Sequence, residues 1–172
     1  MFFVTALETL GTSYAFYFAS VLCFGISLPI TVVRTYQALY QKEIKRSVLV
    51  STEIAVELLR IVQYILFIAY GTNTPLGSLF SPGSWKTMFA GIRQLDWIPF
   101  LWDLLGFIVV FGLYNALLFA ILKPSIVQKL MDHVGIKRFE VSAVRTAAML
   151  AYKNLFLIPV SMIYLFKILN LY

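Results

Sequence analysis

The sequence predicts an all-α integral membrane protein: a four-helix antiparallel transmembrane bundle with short interfacial helices. Three observations carry this expectation. Of its 172 residues 60% are hydrophobic and only 13% are charged, whereas charged residues make up about a quarter of an ordinary soluble domain. Four apolar stretches, at roughly 13–33, 48–70, 98–122 and 146–169, are each long enough for the ~20 helical residues that a hydrocarbon core requires. The net charge of +6 gathers beside these stretches, as membrane topology demands, rather than on a nucleic-acid-binding face. The whole chain, 1–172, reads as a single transmembrane domain.

The first stretch follows MFFVTALETLGTSY, which has no lysine or arginine. It lacks the positive n-region of a secretory signal, so the span is expected to be kept. Pro29 marks a candidate kink, and Tyr36, Tyr40 and Ile44 suggest that the helix continues past the span. The second stretch, VLVSTEIAVELLRIVQYILFIAY, carries Glu53, Glu57 and Arg60 at helical spacings of four and three. Between the second and third stretches, GTNTPLGSLFSPGSWKTMFAGIRQLDWIPF is rich in Gly, Pro and Ser. Ser84 is a plausible cap for a short helix with Trp85, Met88, Phe89 and Ile92 on one side, lying in the membrane interface; a re-entrant loop is the alternative. The fourth stretch contains Pro159, a second candidate kink. It is preceded by an expected amphipathic surface helix that begins at Pro124 and Ser125, carries an apolar stripe of Ile126, Val127, Leu130, Met131 and Val134, and stops at Gly135.

Charge sets the expected orientation. Arg34, Lys42, Lys45 and Arg46 lie in the first connection, and Lys123, Lys129, Lys137, Arg138 and Arg145 in the third, against only Lys86 and Arg93 in the second. The positive-inside rule puts the two basic connections in the cytoplasm and both termini on the other side of a plasma (inner) membrane. Lys42, Lys45, Arg46, Lys137 and Arg138 are then expected at lipid headgroups.

Enzyme signatures are absent from the sequence: there is no HExxH, GxSxG, Walker loop or Cys-x-x-Cys. With one cysteine (Cys23) and one histidine (His133), neither a disulfide framework nor a cysteine- or histidine-rich metal site fits. A non-enzyme without cofactor or metal is expected, whose partners are the bilayer and other membrane subunits or further copies of itself, with no nucleic acid.

Two constellations remain. Ionisable groups at membrane depth face protein or water and are functional candidates by default. Counting depth at about 1.5 Å per residue matches Glu57 with Lys153 and Arg60 with Asp103, so two embedded ion pairs are expected to hold the second span against the third and fourth. These charges either fix helix register or mark an ion path. The second constellation consists of small residues every four positions: Gly11, Ala15 and Ala19; Gly112, Ala116 and Ala120; Ala143, Ala147 and Ala151. Such rows let helix backbones approach closely in lipid, and one that faces outward would dock a neighbour. The favoured reading is a non-catalytic subunit or organising component of a larger membrane complex, with an oligomeric channel or transporter using the intramembrane carboxylates as the alternative.

Overall fold

The computed structural model describes residues 2–171, and among these the regular structure is all helical. Helices α1 (Phe2–Ala19) and α2 (Val21–Leu39) follow one another across a bend at Ser20. They are followed by α3 (Arg46–Gly71), a short α4 (Pro82–Met88) flanked by 3₁₀ turns, α5 (Trp97–Ile121), α6 (Pro124–Val134) and α7 (Val141–Tyr152). A π-helical segment, Lys153–Leu157, joins α7 to α8 (Ile158–Ile168). Four helical units are long and apolar enough to cross a membrane: Val21–Leu39, Arg46–Gly71, Trp97–Ile121 and Val141–Ile168.

The α1–α2 unit lies antiparallel to the α7–α8 unit along most of its length. Tyr40 meets Phe139 near one end, with ring centroids 5.3 Å apart, and Lys167 Nζ meets Thr12 Oγ1 at 2.6 Å near the other. The most extensive helix contact is that of α2 with α7. It is made close by alanine, with Ala147 buried and Ala143 and Ala151 half-buried. Helix α3 packs on α2, whereas α5 packs on α1 and α8. The second and third spans therefore flank a central pair instead of forming the expected direct seam.

The first long unit bends at Ser20, where ψ is 71°, and α2 runs through Pro29 without a break. The bend serves Tyr17. In a straight helix Tyr17 and Ser27 would be ~15 Å apart along the axis, more than their two side chains can span. Across the bend the Tyr17 hydroxyl lies 2.7 Å from Ser27 Oγ and 2.6 Å from the Leu155 carbonyl. That carbonyl needs a donor because the residue four positions on is Pro159, which has no N–H. A carbonyl can only accept, so the single phenolic proton goes to Leu155 O and the serine hydroxyl serves the tyrosine oxygen. Gln63 of α3 completes the node, donating through Nε2 to Ser27 Oγ at 2.6 Å and to the Cys23 carbonyl at 2.8 Å. Tyr17 and Ser27 are 0% exposed and Gln63 2%. Proline, phenol and amide thus satisfy one another at the centre of the fold.

Between α3 and α5 the chain folds over one end of the molecule. The expected helix begins earlier than Ser84: Pro82 occupies its first turn, and its start has no side-chain cap. Met88 is 1% exposed, and Trp85 donates from Nε1 to the Leu79 carbonyl at 2.8 Å. Phe89 stacks on Trp85 but remains exposed, as does Ile92, because the chain tightens to a 3₁₀ turn after Phe89. Gly91 is required where it sits, since a Cβ there would lie 1.7 Å from the Asn170 carbonyl oxygen. At the other end α6 has the expected bounds and Gly135 ends it with φ +77°, the left-handed conformation glycine adopts without strain. Val127 and Met131 are buried, while Ile126, Leu130 and Val134 form an exposed apolar row.

Tyr17→Phe is expected to lower stability in detergent or nanodiscs by about 1–2 kcal/mol, since it strands the Leu155 carbonyl. Tyr17→Phe combined with Pro159→Ala, which restores the helical donor, should recover part of the loss. Unfolding midpoints of the two variants check this, and equal loss in both would count against the account of Pro159.

Candidate functional site

A charged and polar crevice of about 460 Å³ lies between α2, α3 and the α7–π segment. Its floor is built from the α2–α3 hairpin. The two helices run back along each other from the turn at 40–45, and the long side chains of Arg34 and Gln37 reach Thr52, Glu53 and Glu57 on α3. Arg34 donates from Nη1 to Glu53 in a short contact and from Nη2 to Glu57 at 2.9 Å. It also donates to Gln37 Oε1 at 3.2 Å, and Gln37 in turn donates to Thr52 Oγ1 at 2.6 Å. One helical turn deeper, Arg60 donates to Glu57 at 3.0 Å and, in a short contact, to Asn154 Oδ1 of the π segment. Asn154 then donates to the Leu150 carbonyl at 2.7 Å.

The cations are more deeply set than the anions. The side chains of Arg34 and Arg60 are 14% and 17% exposed, against 43% and 53% for Glu53 and Glu57. Guanidinium carries five donors and no acceptor. Two arginines bridged by one glutamate therefore form a planar donor array that a lysine pair would not reproduce.

The expected pairings are corrected on two counts. Glu57 pairs with Arg34 and Arg60 rather than with Lys153. The Lys153 ammonium instead lies 5.3 Å from the centroid of the Phe119 ring on α5, while its side chain lines the crevice. Arg60 does not pair with Asp103: it points to Asn154, and Asp103 sits on α5, which packs on the far side of the central helices. Equal depth is necessary for an ion pair but does not decide which flank a helix occupies. Glu53, which depth counting leaves outside both expected pairs, is paired with Arg34.

Arg34 is the residue that sequence reasoning placed wrongly, as part of a basic connection. Part of the signal was available: once α2 is extended to Leu39, counting outward from the turn brings Arg34 level with Ser51, ~3 Å short of Glu53 along the helix, an offset the arginine stem spans. Two further polar residues of the long helical units take part: Asn154 joins the crevice through Arg60, and Gln63 joins the Tyr17–Ser27 node. Tyr14, Tyr114 and Tyr152 form a separate hydroxyl chain joining α1, α5 and α7, with Tyr114 and Tyr152 2.6 Å apart.

The basic residues at the loop end have diverse roles. Lys42 bonds Glu140 at 2.6 Å, and Arg138 stacks over the Tyr40 and Phe139 rings at 5.3 and 5.6 Å. Lys45, Arg46 and Lys137 are exposed. The Lys42 hydrogen bond and charge hold the Glu140 carboxyl below its ordinary pKa. A lowered carboxylate pKa means that the tie is present above the ordinary range and is lost as pH falls through the lowered value.

Of the small-residue rows, that of α7 is turned into the molecule. Gly11, Ala15 and Ala19 on α1 and Gly112, Ala116 and Ala120 on α5 are exposed. No known family model, curated protein or solved structure matches the chain.

Arg34→Met strips Glu53 of its partner and leaves Glu57 with Arg60 alone, and because both carboxylates are half-exposed it is expected to cost about 1–2 kcal/mol, less than a fully buried pair. Arg34→Met with Glu53→Gln restores charge balance and should recover at least half of that cost. Unfolding in nanodiscs measures both, and an unchanged midpoint for the single variant would remove Arg34 from its place in the network. Spin labels at residues 41 and 141 should report a looser end at low pH in the parent chain. Glu140→Gln should be loose at all pH values.

Proposed function

We propose that the chain is a multi-pass membrane protein crossing a plasma membrane four times, with its basic connections in the cytoplasm and both termini opposite. We further propose that it acts as a non-catalytic organising subunit of a larger membrane assembly. The observation that carries this reading is the unequal use of the small-residue rows. The α7 row is consumed by the α2 contact, whereas the α1 and α5 rows are left on the outside. Lipid gives helices no hydrophobic reason to associate, so close backbone approach at small residues is a main driving force for assembly. The exposed rows supply that approach to a neighbouring helix.

A Cβ added at Gly11 or Gly112 meets nothing within 4 Å. Gly112→Leu can therefore block a docking neighbour without disturbing the fold. In mild detergent, native mass spectrometry of the parent should give a defined complex, of copies or with one heterologous subunit. Gly112→Leu should release the chain as a folded monomer at unchanged abundance. A monomeric parent, or a complex indifferent to Gly112→Leu and Gly11→Leu, overturns the reading.

The charged crevice supports a second reading, an oligomeric channel or transporter. It requires a polar route to the far end, and beyond Gln63 the buried residues are Phe67, Val160 and Ile163. Liposome flux measurements on the parent and on Glu57→Gln discriminate: a flux abolished by Glu57→Gln at normal assembly favours transport.

A further inference from the structure

We infer that the crevice between α2, α3 and the α7–π segment is a binding site for an oxyanion, a phosphate or carboxylate group. The inference stands independently of the docking role and rests on charge balance at depth. Arg34, Arg60 and Lys153 supply three cations, while Glu53 and Glu57 supply two carboxylates. Both carboxylates are engaged by the arginines. Among the described residues Lys153 forms no ion pair, and its partner is the face of Phe119.

Lys153 lies twelve residues beyond the start of α7, ~18 Å along the helix. An ammonium at that depth is costly without a counter-charge, and an aromatic face supplies only part of what an anion would. The surplus of one positive charge is what a bound oxyanion would neutralise. Arg60 is anchored by Glu57 through Nη1 and by Asn154 through Nη2, which holds its plane fixed before a ligand arrives, and a guanidinium's five N–H groups exceed those two bonds. Planar guanidinium forks suit the paired oxygens of phosphate and carboxylate. Glu53, on the wall, does not repel such a group strongly, because Arg34 already neutralises it. The volume, about 460 Å³, is within the ordinary range for a small-molecule pocket. Thr146 and Gln41 line it toward the loop end, where a soluble anion or the head of an anionic lipid would enter.

The full chain in nanodiscs of phosphatidylcholine alone is titrated with inorganic phosphate and, separately, with acetate, following its thermal midpoint. A parallel set of nanodiscs contains phosphatidylglycerol, with native mass spectrometry counting retained lipid. Saturable stabilisation by phosphate or acetate identifies a soluble oxyanion. Retention of one phosphatidylglycerol per chain, without a response to the free ions, identifies a lipid headgroup. In either arm Lys153→Gln should weaken binding roughly tenfold or more, as expected for loss of one charge-assisted bond, and Lys153→Arg should preserve it. Circular dichroism separates a binding defect from unfolding. The absence of a saturable effect in both arms, or binding that Lys153→Gln leaves at parental strength, overturns the assignment.

Discussion

The fold depends on a single buried exchange of hydrogen bonds in which the Tyr17 phenol supplies the donor that Pro159 cannot. Proline removes an N–H from the α7–α8 unit, and the exposed Leu155 carbonyl is met from another helix at 2.6 Å. Burying that carbonyl without a partner would cost about 1–3 kcal/mol. The bend between α1 and α2 at Ser20 brings Ser27 within reach of the same hydroxyl. Gln63 then fastens α3 to the node. The donor that meets one missing amide hydrogen thus belongs to a node that also joins the two arms of a bent helix and seats a third.

The charged crevice is arranged around this node. The π segment, Lys153–Leu157, ends just before Pro159 and carries both Leu155, held by Tyr17, and Asn154, held by Arg60. An inserted residue of this kind rotates the side chains before it relative to those after it. The segment therefore presents Asn154 to Arg60 and leaves Lys153 at the crevice edge beside Phe119. Backbone irregularity and charge placement are one feature, which is why the arginines can be nearly buried while their carboxylate partners stay half-exposed.

The two faces of the molecule have different character as a result. The interior of the α2–α3–α7 side is polar and tied by ion pairs, whereas α5 is apolar on most of its surface, with Asp103, Tyr114 and Asn115 its polar exceptions, and packs through only a few buried positions, Gly106, Val110, Phe111 and Leu118. A helix surface this apolar is covered by apolar surroundings. Lipid can provide that cover, and so can another helix seated on the Gly112, Ala116 and Ala120 row. The same reasoning separates the proposed organising role from the proposed anion site: one would use the outward rows of α1 and α5, the other the crevice between α2, α3 and the α7–π segment.

Much of the secondary structure was legible in the sequence because its determinants are local. Hydropathy over about 20 residues marks a helix long enough to cross a bilayer, and the second, third and fourth long apolar helices lie close to the stretches it marked, whereas the first, expected at 13–33, is broken at Ser20 and runs instead over Val21–Leu39. Gly135 and Pro124 bound α6 through conformational preferences that need no partner. The charge and hydrogen-bond partners were legible only where the chain itself forces proximity. In the α2–α3 hairpin, counting from the turn brings Arg34 to the level of Ser51, within two residues of Glu53, whereas Glu57 with Lys153 and Arg60 with Asp103 are matched on depth alone. Depth is one coordinate of three, and the rotation of each helix and its choice of flank are settled by packing. The sequence by itself determined the approximate extent of the second and third long helices, which connections are basic and that the second long helix carries charge. Only the tertiary structure decided that Arg34 would hold that charge, that Lys153 would be left with an aromatic face, and which small-residue rows would point outward, because each depends on side chains distant in sequence meeting across a helix interface.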